Sequence, residues 1–157
     1  MRKPLFILLA VSLTAAAQQT DAHHDAVNAR GDMAMGFDHS RTTHHFILRP
    51  YGGDIDVRTN DPADLSSRDR IRHHLSMIQK MFSAGDFSDP MFIHGRVPPG
   101  VPAMKAGHVT YAYSTTPKGA RIKISSSDEK TIAAIHDFLK FQIADHETGD
   151  PLAVQSK

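Results

Sequence analysis

The residues best suited to chemistry in this 157-residue chain are its 11 histidines and seven methionines; it has no cysteine. On one helical stretch His74, Met77 and Met81 stand at i, i+3 and i+7, which puts all three along the flank of one helix face. Imidazole nitrogen and thioether sulfur together favour copper, above all Cu(I), over magnesium or calcium. The plain alternative is that Met77 and Met81 fill the edge of a core, as flexible apolar side chains often do. Three further histidines are candidates to complete a three- or four-coordinate site. His44 shares the inward face of a strand with Phe46 and Leu48, and His39 and His45 lie near it. His94 closes the apolar run Met91-Phe92-Ile93-His94. His146 falls near the centre of a second helix's apolar stripe, with His136 on its flank, while His73 faces water. A histidine turned into a core needs a partner, because an unsatisfied buried ring nitrogen costs roughly 1–3 kcal/mol. That partner is a carboxylate such as Asp86 or Asp150, or a metal ion.

Enzyme motifs are missing. The chain has no G-x-S-x-G elbow, no phosphate-binding glycine loop, no dinucleotide fingerprint and no H-E-x-x-H. Without cysteine there is no thiolate nucleophile, thiolate metal site or disulfide framework. A histidine beside Asp38, Asp86 or Asp150 in a cleft is the remaining acid–base arrangement. The residues therefore point to a binding protein for a soft metal ion such as copper, with no catalytic residue assigned. The alternative is a non-catalytic interaction module that docks a protein or a small apolar ligand through Tyr111 and Tyr113 or an exposed Phe141.

Two ββα units are expected to position these side chains. His44, Phe46 and Leu48 alternate with His45, Ile47 and Arg49; Pro50-Tyr51-Gly52-Gly53 turns the chain, and Ile55 with Val57 returns. A helix follows, starting at Ser66 or Ser67 as N-cap, with Ile71, Leu75, Ile78 and Phe82 in one stripe and Gly85 as the stop. The second unit repeats the order: Val109, Tyr111 and Tyr113 share a face, Pro117-Lys118-Gly119 turns, and Ile122 with Ile124 returns. Ser125 to Asp128 then caps a helix carrying Ile132, Ile135, Leu139 and Ile143, ended by Gly149 and Pro151. The echo of Gly52–Asp61 in Lys118–Asp128, and of Ile71–Asp86 in Ile135–Asp150, reads as a faint internal duplication. The expected fold is α+β, a four-stranded antiparallel sheet with two helices on one face. Its boundaries are 37–151, divided into a first repeat 44–86, an irregular proline-rich connector 87–107 and a second repeat 108–150.

The ends read differently. Arg2 and Lys3, the apolar run Leu5–Leu13 and Ala15-Ala16-Ala17 have the order of a secretory signal peptide over 1–22, cut near residue 17 or 22, and about nine apolar residues are too few to span a bilayer. Residues 23–36 read as a mobile tail and 152–157 as a C-terminal tail. The formal charge is +1; without Arg2 and Lys3 it is −1, from 16 basic and 17 acidic residues. That balance gives no basic face for nonspecific nucleic-acid binding. A periplasmic or secreted location follows, with no stable membrane insertion after cleavage.

The run Met35-Gly-Phe-Asp-His-Ser-Arg-Thr-Thr-His-His-Phe46 with the later Gly52-Gly53 resembles a family of small exported bacterial proteins. Asn60-Asp61-Pro62, Pro98-Pro99-Gly100-Val101-Pro102, Ile135–Ile143 and Thr148-Gly149-Asp150-Pro151 extend the likeness over nearly all of the mature chain. The resemblance implies location and boundaries, and carries over no activity and no catalytic residue.

Overall fold

Alternating side chains and tight turns build two hairpins. Strand β1 (Thr42–Arg49) pairs antiparallel with β2 (Gly52–Thr59), and β3 (Thr110–Thr116) with β4 (Gly119–Ser125). Each is closed by a two-residue loop, Pro50-Tyr51 or Pro117-Lys118. Gly52 has φ +131°, and a Cβ there would meet the Ile124 carbonyl oxygen at 2.5 Å, so the turn requires glycine. β2 and β4 pair antiparallel in the centre, giving one four-stranded sheet in the order β1-β2-β4-β3. The structure is a computed structural model that describes residues 11–156, with side chains from residue 22 onward.

Between and around the hairpins run helices α1 (Val11–Met35), α2 (Leu65–Ser83), α3 (Ser88–His94), α4 (Val101–Ala106) and α5 (Glu129–Asp145), plus a single 3₁₀ turn at His39–Arg41. The stripes Ile71, Leu75, Ile78, Phe82 of α2 and Ile135, Phe138, Leu139, Ile143 of α5 join Phe46, Leu48, Ile55, Val57, Tyr111, Ile122 and Ile124 in one core. The result is an α+β fold with the two long helices on one face of an antiparallel sheet, as the alternation and the 3.6-residue stripes predict. The order β1β2α2, β3β4α5 does not conflict with two repeats.

The other sheet face is closed by charge. Asp54 and Asp56 are 2% and 0% exposed. Arg49 and the Tyr51 hydroxyl donate to Asp54; Arg58 and Arg121 donate to Asp56, the latter at 2.9 and 2.6 Å. Burial pushes the Asp56 carboxyl up, but the guanidinium hydrogen bonds outweigh it and hold the group below its usual range. The two sheet edges differ. At β1, Asp150 accepts from Phe46 N–H and Gln155 N–H donates to the Leu48 carbonyl, both at 2.9 Å, so the last residues run along that edge. β3 has no strand beyond it among the described residues.

Four expectations need correction. Residues 23–36 are not a mobile tail: they are the end of α1, held by the fully buried Val27, by Arg30 Nε donating to the Ile93 carbonyl at 2.6 Å, and by His23 Nε2 donating to Asp145 at 2.9 Å. Residues 87–107 are not irregular, because Pro90 and Pro102 stand in the first turns of α3 and α4, where the missing N–H costs nothing. Helix α2 starts before the serines, with Asp64 as N-cap accepting from Ser67 N–H at 3.0 Å. Helix α5 ends at Asp145 with His146 as C-cap, short of Gly149. The charged, apolar start of the expected leader, residues 1–10, lies outside the described residues. Among the described residues no helix is long and apolar enough to cross a membrane.

Candidate functional site

Four elements send a histidine to one place. Alternation turns His44 of β1 inward beside Phe46. The flank of the α2 stripe carries His74, the last residue of α3 is His94, and the C-cap of α5 is His146. With Met35 from the end of α1 they line a cavity of about 70 Å³, among Phe46, Ile55, Val57, Leu75, Ile78, Phe82 and Phe138. The space suits a few waters or an ion, and is far below the roughly 300 Å³ of a drug-sized ligand site. The His44 and His146 rings are stacked, with centroids 6.0 Å apart and planes 4° from parallel, and His94 meets His146 edge-on at 4.9 Å.

These rings are held neutral. Burial first, then the neighbouring His74 and His45, lowers the His44 pKa to about 4. Burial lowers His74 to about 4, and burial with His44 and His94 nearby lowers His146 to about 3. Among the described residues no protein group hydrogen-bonds a ring nitrogen of these three, and none of those nitrogens is a solvent-sealed atom left without a partner, so they are open to water.

His94 is different. Its Nδ1–H donates to Asp145 Oδ2 at 2.5 Å, and its Nε2 faces Gln142 Oε1 at 2.9 Å while Gln142 Nε2 is buried without a partner. Turning the Gln142 amide over gives Nε2 a donor and satisfies that orphan nitrogen with the ring neutral. Either way both nitrogens of His94 are engaged, and it serves as wall rather than ligand. Burial pushes Asp145 up, but hydrogen bonds from His23 and His94 outweigh it and hold its carboxyl below the usual range. Asp89 lines the cavity too, with its carboxyl raised by burial and then by Asp86.

The thioethers are not where spacing placed them. Met77 is 44% exposed and Met81 packs against the core, and neither lines the cavity. Taking Ile71, Leu75, Ile78 and Phe82 as the stripe, Met77 lies about 130° from its centre, so the helix turns it to water. Two other histidines have their own partners: His136 Nε2–H donates to the Arg49 carbonyl at 2.8 Å, and His45 Nδ1–H to Asp150 at 3.0 Å. Asp86 and Asp38, proposed acids, cap local turns through Ser88 and Ser40. Tyr111 is buried against Phe82, and Phe141 is covered by the Arg96 guanidinium at 4.6 Å, so neither offers the expected docking face. Sequence reasoning missed Met35 and Asp145. A signal for Met35 existed in the four-residue spacing of Val27, Gly31 and Met35, which puts all three on one helical face.

Among the described residues one group offers three mutually close ligand atoms of the histidine or carboxylate kind: Asp32, Asp38 and His39. They are already engaged, His39 donating from Nδ1 and its backbone to Asp32, and Asp38 accepting from Ser40. No family model, curated protein or solved structure matches the chain, so the likeness to small exported proteins rests on the sequence pattern alone.

Proposed function

We propose that this is an exported binding protein that takes up a soft transition metal ion such as copper in the histidine-lined cavity, for sequestration or delivery rather than turnover. One observation carries the reading: His44, His146, His74 and Met35, brought from four separate elements, line one cavity of a size for an ion and a few ligand atoms. Ring nitrogens with no protein partner are free for water or a metal ion, which disfavours a hydrocarbon ligand in the same space. Neutral imidazole is the form that binds copper, and no proton has to leave before the ion arrives. The leader-like order of residues 1–22 and the resemblance to exported proteins support the compartment. Among the described residues no serine or threonine lines the cavity to act as a side-chain nucleophile.

The test is isothermal titration of the full chain with Cu(I) and Cu(II) in a His23→Ala, His24→Ala background, which removes the exposed pair on α1. Replacing His44 and His146 by leucine should weaken binding by more than the roughly 100-fold that loss of an outer-sphere partner costs. Binding no tighter than that of a histidine-rich peptide, or unaffected by those replacements, removes the reading. A partner-docking role keeps one observation in its favour, the exposure of Met91, Phe92 and Val97 on and just after α3.

A further inference from the structure

We infer that Met35, His44 and His146 are the ligand set of the site, a neutral sulfur and two neutral nitrogens that select monovalent copper. This deepens the metal-binding reading and rests on it. Beside the inner cavity lies a second cleft of about 270 Å³, lined by polar groups that include His39, Thr42, Asn28 and Glu147. Three residues belong to the walls of both spaces, and they are Met35, His44 and His146. They stand at the neck between a wet antechamber and an apolar interior.

Each arrives there for a local reason. Met35 ends α1, where Gly36 with φ +71° turns the chain away, and its side chain packs against the core. His44 and His146 face one another as parallel rings across the junction of β1 with the end of α5. No three histidines of this cavity bring their nitrogens within 4.8 Å of one another among the described residues, so an all-histidine site is not preformed. Two histidines and a thioether answer that geometry, because Cu(I) accepts two or three ligands and prefers soft ones.

Charge points the same way. The set itself carries no negative charge, and apart from the Asp89 carboxyl, which burial pushes toward its neutral form, the inner wall is mainly apolar, with Phe46, Val57, Leu75 and Phe82. The cost of moving an ion out of water grows steeply with its charge, so a monovalent ion enters such a site where Zn(II) or Cu(II) is held back. The antechamber supplies the exchange route: an ion arrives hydrated or carried by another ligand, and loses that shell at the neck. His74 and His94 line the inner cavity alone and not the antechamber.

The experiment uses the full chain in the His23→Ala, His24→Ala background, loaded anaerobically with Cu(I). X-ray absorption at the copper edge reports the ligand atoms, and competition against a chromophoric Cu(I) chelator reports affinity. Native Met35 should give one sulfur and two nitrogens around copper. Met35→Leu, which conserves volume, and Met35→Gln, which conserves length, should both lose the sulfur and bind Cu(I) about tenfold or more weakly, roughly 1.4 kcal/mol. Zn(II) affinity should change far less, while Met77→Leu should leave the spectrum as it was. A native spectrum without sulfur, or a sulfur signal and affinity that survive in both Met35 variants, overturns the ligand set. If that happens while His44→Leu still abolishes binding, the metal reading stands without Met35. If native protein holds Cu(I) no more tightly than a histidine-rich peptide, the metal reading itself falls and takes the ligand set with it.

Discussion

Mild acid should destabilise the metal-free protein well before its carboxylates are protonated. His44, His74 and His146 have pKa values lowered to about 4, 4 and 3 in the folded state, mainly by burial, against 6.5 for an exposed ring. The unfolded chain therefore takes up protons first. Stability is complete above about pH 6.5 and is lost as pH falls toward about 4, since the state that binds more protons gains as pH drops. Between pH 7 and pH 5 the linkage amounts to about 2 kcal/mol for one such ring. The three rings are partly exposed to a cavity that water can enter, so a total of about 3 kcal/mol is the working figure, a large part of the 5–15 kcal/mol that holds a typical domain. Asp56, Asp64, Asp128 and Asp145 are all held below 3.8, so their contributions are lost at lower pH than this window. Urea unfolding at pH 7, 6 and 5 measures the slope, and a His44→Phe, His146→Phe double variant should lose most of it. A native protein equally stable at pH 7 and pH 5, or a double variant with an undiminished slope, would refute the placement of these rings as buried and neutral.

Other perturbations are smaller in scope. Gly100→Ala forces a side chain at φ +80° and into the Ala134 carbonyl where the chain crosses α5, and should cost at least about 2 kcal/mol in thermal or chemical unfolding. Asp56→Ala strands Arg58 and Arg121 on the sheet, at about 2 kcal/mol rather than the 3–5 of a sealed pair because both guanidiniums reach water. Phe138→Ala removes a ring 1% exposed between Phe82 and Phe87 and should cost about 3–5 kcal/mol by the same assay.

The sheet and the two long helices were legible because their signals are local. Alternation from His44 to Arg49 and the four-residue recurrence in Ile71, Leu75, Ile78 and Phe82 each fix a face without reference to the rest of the chain. Helix α1 was not, since over residues 22–35 its inward side is one valine, one glycine and one methionine among alanines and polar residues, and tertiary contacts to α3 and Asp145 hold it. Prolines were read as breaks where they begin α3 and α4. For the site, His44, His74, His94 and His146 could be singled out, but spacing on one helix cannot tell which neighbours face a cavity. Met77 satisfied the local pattern and lost to the rotation of α2; Met35 satisfied none that was sought and stands beside His44 through the packing of α1.

The unequal edges of the sheet limit what this molecule can build by strand addition. With β1 capped through Phe46 and Leu48, each copy offers a single free edge among the described residues, at β3. Two copies that meet there consume both edges and form a closed pair, so growth ends at two. A chain cut before Asp150 would expose a second edge, and the same encounter would then propagate from copy to copy. In such an encounter the last few residues would act as a terminator of strand addition at β1.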